Sequence, residues 1–197
     1  MGQLFIEPLL SPVRHGAARV ARSIGDLMSF LLGEVAPDDP SWNKRGALYV
    51  PSGQGPTVWA ADDIYTVKAT GAQTNGNIGF IEATVPAGGG PVPHAHTQED
   101  ETFYVLDGEL EFTDGDHEFT AVAGDFIHVP KGIRHGFKNR RIHAARLLFI
   151  YTPPGLEQLM LDHSTPARPG ETPPPIDDDM TARAEQVIRK SKTIMLP

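Results

Sequence analysis

Between Gly88 and Gly108 the sequence reads GGGPVPHAHTQEDETFYVLDG, with His94 and His96 two residues apart and Glu101 five further on. Residues i and i+2 of an extended segment share a face, so the two imidazoles would stand side by side as half of a metal site. A return strand beginning at Glu101 would bring a carboxylate against them. A second stretch, Gly124 to Asn139 (GDFIHVPKGIRHGFKN), supplies a third imidazole, His135. Three neutral imidazoles and one carboxylate suit a single borderline divalent ion: iron, nickel, manganese, cobalt, copper or zinc. The chain has no cysteine, which excludes disulfides, iron–sulfur clusters and thiolate catalysis. A tetrahedral thiolate zinc site is excluded with them. Four protein ligands on a metal that accepts five or six would leave one or two positions open.

The two stretches resemble the paired motifs of the cupin superfamily. The first follows G-x5-H-x-H-x4-E-x6-G through Gly88, His94, His96, Glu101 and Gly108. The second follows G-x5-P-x-G-x2-H-x3-N through Gly124, Pro130, Gly132, His135 and Asn139. No position departs from the pattern, and the closing glycine selects Glu101 over Glu99 and Asp100. The resemblance covers residues 75 to 152 and implies an all-β fold, a small double-stranded β-helix or jelly-roll barrel closed around a metal. A short single barrel with three His and one Glu looks most like the quercetin dioxygenase-like group. That likeness implies a metal-dependent dioxygenase acting with O2 on a hydroxylated aromatic, flavonol-like or enol substrate. In that group the ligand carboxylate doubles as the base, a role that would fall to Glu101. The competing class is a non-redox metal cupin: a cyclase, isomerase or decarboxylase acting on a β-dicarbonyl or polyketide-like molecule. A third is a non-catalytic binding cupin.

From Ser11 to Gly33 apolar residues recur at spacings of three and four, which predicts an amphipathic helix. It belongs to an N-terminal helical extension over residues 1–45, expected to pack on its own barrel or to cross to a second subunit in a homodimer. The barrel is expected over 46–152, with short strands at Ala47–Val50, Ile64–Ala69, Gly79–Val85, Glu101–Leu106, Glu109–Thr113, His117–Val122, Phe126–Val129, His135–Lys138 and Ala144–Tyr151. Asp114-Gly115 and Ala123-Gly124 read as tight turns. Residues 153–197 form a Pro-rich C-terminal extension, with helices expected at Gly155–Asp162 and Met180–Lys190 and an extended arm over 164–175.

Strand parity gives a pocket. If Glu101 faces inward, so do Phe103 and Val105; if His135 does, so does Phe137. The pattern leaves open whether Phe80/Glu82/Thr84 or Ile81/Ala83/Val85 faces inward, and leaves the facing of Arg146 open too. An apolar, aromatic-lined cup favours a planar or weakly polar organic substrate over a sugar phosphate. Asn139 is expected to brace the return strand, and His128 to be a satisfied sheet histidine. His15, His117, His143 and His163 have no ligand spacing and are expected to be solvated.

The net charge of −8 argues against nucleic acid or an anionic membrane surface as a partner. No apolar run approaches the ~20 residues that span a bilayer, and the N-terminal stretch lacks the pattern of a signal peptide. A cytoplasmic location is the expectation.

Overall fold

The computed structural model describes residues 45–60, 62–168 and 173–196. The chain divides into two units, Met1–Ala47 and Leu48–Pro197; the second is described below. The helix expected at Ser11–Gly33 lies outside the described residues.

Twelve strands and two helices are described in the second unit. The strands are β1 (Thr57–Ala60), β2 (Asp63–Ala69), β3 (Gly79–Val85), β4 (His94–Ala95), β5 (Asp100–Asp107) and β6 (Glu109–Asp114), followed by β7 (His117–Val122), β8 (Phe126–Val129), β9 (His135–Lys138), β10 (Ala145–Thr152), β11 (Thr165–Pro166) and β12 (Ile194–Met195). The α-helices are α1 (Leu156–His163) and α2 (Asp178–Ser191). One sheet runs β11-β1-β2-β3-β10-β5-β8 and the other β12-β4-β9-β6-β7, with antiparallel pairing throughout. This is the double-stranded β-helix of a jelly roll.

The core lies between the sheets. In β2 and β3, buried residues alternate with partly exposed ones, the period-2 signature of a strand with one face inward. The inward face of β3 is therefore Ile81, Ala83 and Val85, each at 0% exposure. Glu82 faces outward, where it pairs with Lys68 and Arg146. Arg146 is thus on the outer surface, and neither guanidinium nor ammonium from this patch enters the barrel. Across the sheets Phe103 meets Phe112 at 5.2 Å between ring centroids, and Phe149 at 5.1 Å within its own sheet. Both are edge-to-face arrangements that aromatic quadrupoles favour.

Most expected strands are present to within a residue or two. Ala47–Val50 is a correction: no strand forms there, and Leu48 and Tyr49 are exposed. Pro51 ends the run by removing a backbone donor, and a turn closes with Gln54 N–H donating to Pro51 O. The strand that precedes β2 is instead Thr57–Ala60. The arm expected at 164–175 opens with β11, which pairs with β1.

The C-terminal helix starts with Asp177 as N-cap, its carboxylate accepting from Met180 N at 2.8 Å. Asp178 and Asp179 occupy the first turn and Arg189 and Lys190 the last, the polarity that complements the helix dipole. Lys192 at φ 55° ends it in the left-handed conformation. Beyond it, β12 pairs with β4, which the sequence had not indicated. Among the described residues no helix is long and apolar enough to cross a membrane.

Candidate metal centre

The first histidine pair is delivered by a loop built on glycine. Gly88 N–H donates to Asn139 O, and Asn139 N–H to Gly89 O. Gly90 sits at φ 116° with Phe137 O where a Cβ would be, so only glycine lets the loop lie this close to β9. Gly90 N–H donates to the buried Asp63 carboxylate at 3.1 Å. The chain then passes through Pro91 and Pro93 into β4, where His94 pairs in register with His135 of β9. His135 leaves a turn in which Gly132, at φ 84°, donates its N–H to His96 O at 2.7 Å. Backbone bonds at both ends therefore tie the segments carrying the first and second motifs. Glu101 comes from the other sheet, on β5, flanked in register by Val129 and Tyr151.

The structure brings His94, His96, Glu101 and His135 together. One ligand atom from each lies within 4.8 Å of the others, and exposure is 9%, 4%, 3% and 2% in that order. Glu101 Oε2 lies 2.8 Å from His135 Nε2 and 3.1 Å from His96 Nε2. The backs of the rings are held as well. His94 Nδ1 is 2.9 Å from Val92 O, His135 Nδ1 is 2.9 Å from Ile133 O, and His96 Nδ1 is 3.2 Å from Thr193 Oγ1. A carbonyl only accepts, so His94 and His135 carry a proton on Nδ1.

The electrostatics follow from burial and proximity. Burial alone would raise the Glu101 carboxyl, but the hydrogen bond from His135 and the nearby His96 ring outweigh it and hold the group well below the usual carboxylate range. Burial pushes His94 down to about 4, against the pull of Glu101. Burial opposes charge on His135 too, but the Glu101 bond and charge raise its pKa. The arrangement is an ionised carboxylate facing imidazole Nε2 atoms in a buried space. Metal ligands must be deprotonated, and a neutral His94 beside an ionised Glu101 meets that need. Three ring nitrogens and one carboxylate oxygen therefore fit a borderline divalent transition metal.

Phe103, Val105 and Phe137 are buried at 1%, 0% and 4%. The Phe103 ring stands 6.2 Å from that of His135 and 5.9 Å from that of Phe137. Together with Phe112 and Phe149 these side chains fill the barrel interior on which the four polar groups rest. Asn139, at 0% exposure, braces the return strand: its amide donates to Val85 O and His143 O, and its carbonyl accepts from Arg141 N. His128 is satisfied by Thr102 at 2.8 Å. His117 and His143 are exposed, and His163 meets Lys190 Nζ.

Three neighbours escaped the motif reading. Tyr151 is the cross-strand partner of Glu101, and its ring lies 6.1 Å from that of His96. Burial, then the Glu101 charge, keeps its phenol protonated; parity along the last barrel strand was the available signal. Glu99 is buried beside His96 and Glu101, its carboxyl raised by burial, and its Oε2 has no hydrogen-bond partner among the described residues. Thr193 lies 97 residues from His96 in sequence, and nothing in the local pattern pointed to it.

Residues 81–151 match the cupin domain family. Over 88 residues the chain is 33% identical to quercetin 2,3-dioxygenase of Bacillus subtilis (strain 168), a match covering 44% of this chain and 26% of that protein. The chain thus spans about a quarter of the length of that curated relative. Among solved structures it is similar to an RmlC-like cupin from Shewanella frigidimarina NCIMB 400, with 18% identity over 57% of this chain and 96% of that one, at a TM-score of 0.49. A sugar phosphate isomerase of the cupin superfamily from Silicibacter pomeroyi DSS-3 gives 24% identity, 47% and 60% coverage, and a TM-score of 0.42.

Proposed function

Because residues 81–151 match the cupin domain family, we propose that the chain is a metal-dependent dioxygenase of a hydroxylated aromatic, flavonol-like or enol substrate, with His94, His96, Glu101 and His135 holding one divalent transition metal. The observation that carries the reading is the buried meeting of these four donor groups within 4.8 Å. The oxygenase class is supported by the 33% identity to the Bacillus subtilis quercetin 2,3-dioxygenase. When bound, the metal would polarise a substrate oxygen as a Lewis acid and lower the pKa of its hydroxyl.

The chain's own residues supply the rest. Glu101 is ionised, and its carboxylate would accept a proton from a substrate hydroxyl once the metal has made that hydroxyl acidic. Its position on an interior strand of the larger sheet, paired on both sides by β10 and β8, fixes that base on a rigid element. Phe103 and Phe137 back the site with packed rings and exclude water from that side. With Arg146 on the outer surface, no guanidinium of that strand offers a phosphate a partner inside the barrel, which favours a weakly charged organic substrate.

The test begins with metal analysis of the purified protein and O2 uptake with flavonols, catechols and β-diketones. Glu101→Gln is then compared with wild type as turnover per bound metal on whichever substrate responds. Loss of the base is expected to lower that rate by about 100-fold or more. Wild-type turnover per metal in the variant rejects the base role. Product formation at an equal rate without oxygen replaces the dioxygenase with a non-redox cyclase, isomerase or decarboxylase.

A further inference from the structure

We propose that the C-terminal segment is part of the metal centre, with Thr193, backed by Ser191, acting as a positioning residue that sets the proton on His96 so that its Nε2 is free to ligate. The proposal rests on the metal reading above and goes beyond it, because nothing in the two motifs lies in this segment.

Four bonds place the segment. Thr193 N–H donates to Ile188 O at 3.0 Å and Lys192 N–H to Arg189 O, the paired closure of a helix that ends in a left-handed residue. Thr97 Oγ1 donates to Lys192 O at 3.0 Å, and Leu196 N–H to Pro93 O at 3.0 Å, on either side of β12. Thr193 is thereby fixed beside the segment that carries His94 and His96.

The proton order follows from counting donors. Ser191 Oγ lies 2.8 Å from Val187 O, 3.1 Å from Ile188 O and 2.7 Å from Thr193 Oγ1. The two carbonyls only accept, so the single Ser191 proton is directed at them. Turning it toward Thr193 would leave Ser191 Oγ facing two carbonyl oxygens with no proton between, inside a residue that is 3% exposed. Thr193 must then donate to Ser191, and its remaining lone pairs accept from His96 Nδ1–H at 3.2 Å. The chain His96 Nδ1–H, Thr193, Ser191, Val187 O reproduces, through two hydroxyls, what Val92 O and Ile133 O do directly for the other rings. It works against Glu101, whose Oε2 draws a proton toward His96 Nε2 from 3.1 Å.

The experiment uses the full chain, with ring 15N labelling of histidine and long-range 1H–15N correlation on the metal-free protein, beside zinc affinity measured by competition with a chelator. Wild type is expected to hold the His96 proton on Nδ1. Thr193→Val is expected to move it to Nε2 and weaken zinc binding by about 10-fold or more, as loss of a partner behind a metal ligand does. Thr193→Ser is expected to restore both. Thr97→Val, which loosens the same segment without touching the relay, is expected to leave the tautomer on Nδ1. Any of three results overturns the proposal: an Nε2 proton in wild type, an unchanged tautomer in Thr193→Val, or an equal shift in Thr97→Val. Failure of wild type to bind zinc or any other divalent metal would sink the metal reading, while the tautomer comparison still decides this one.

Discussion

Two buried glutamates, one on the helix after the barrel and one inside it, do different things. Glu157, in the first turn of α1, is 1% exposed, and Glu101, on β5, is 3% exposed. Glu157 Oε1 accepts from Gly71 N–H at 2.9 Å and its Oε2 from Gly155 N–H at 2.7 Å. Both partners are main-chain donors that cannot leave or titrate. Glu101 faces side-chain ring nitrogens instead, and those can give up protons to make room for a cation. A carboxylate bonded to backbone is a staple between the helix and the chain just past β2; one surrounded by imidazoles is chemically addressable. Burial does not distinguish them, but the identity of the donors does.

The largest effect should come from breaking the addressable region. His94→Ala and His135→Ala each remove a ring whose Nε2 side converges with Glu101. Loss of a partner one step behind a metal ligand typically lowers affinity by about 10- to 100-fold, so loss of the ligand itself should exceed about 100-fold. Metal content after dialysis, read by elemental analysis, should fall to a small fraction of wild type while folding is retained. Full occupancy in both variants would show that the four groups are not the binding site.

The staple should respond in the opposite way. Glu157→Ala leaves the N–H groups of Gly71 and Gly155 without their acceptor, at about 1–3 kcal/mol each, so a loss of about 2–6 kcal/mol in denaturant unfolding is expected. Metal content should stay within about twofold of wild type. A variant that keeps its stability but loses metal would erase the contrast between the two glutamates.

The sequence made the addressable region legible and the staple invisible. His94, His96, Glu101 and His135 announce themselves because side-chain type and local spacing both bear on the same chemistry. Strand positions were also readable where turn residues bracket short runs, as in β7, β8 and β9. What stayed hidden depends on register and on contacts between distant segments. The inward face of β3 follows from its pairing with β10, where Ile81 stands opposite Phe149. Glu157 reads in sequence as an ordinary acid in a first turn, since Gly71 and Gly155 reach it only in the folded state. Ala47–Val50 failed because apolar character alone does not make a strand without a partner. The Pro-rich composition of the C-terminal segment suggested an arm but gave no sign that its end returns to His96.

Asp63 is an intermediate case, and it sharpens the comparison through pH. It is 2% exposed, accepts from Gly90 N–H and from the Tyr65 hydroxyl at 3.1 Å each, and so has one backbone and one side-chain donor. Burial pushes its carboxyl up to about 6; the Tyr65 and Gly90 bonds and the Lys138 charge pull it down, and Asp62 adds to the rise. Two donors therefore do not compensate for desolvation as the two imidazoles of Glu101 do. With a folded-state value above the unfolded 3.8, the native protein holds more protons than the unfolded chain between about pH 4 and 6. The stabilisation from protonated Asp63 is thus fully present below pH 4 and is lost as pH rises through 6. Asp63→Asn is neutral at every pH, its carbonyl still accepts from Gly90, and its amide offers Tyr65 a donor. The variant should gain on wild type by at most about 3 kcal/mol at pH 7, with the gain shrinking toward zero near pH 4. Denaturant unfolding of both proteins from pH 4 to 7 reads that difference, and groups common to the two cancel from it. A difference that stays flat across this range would mean that Asp63 is satisfied as fully as Glu157, and that its two bonds already offset its burial.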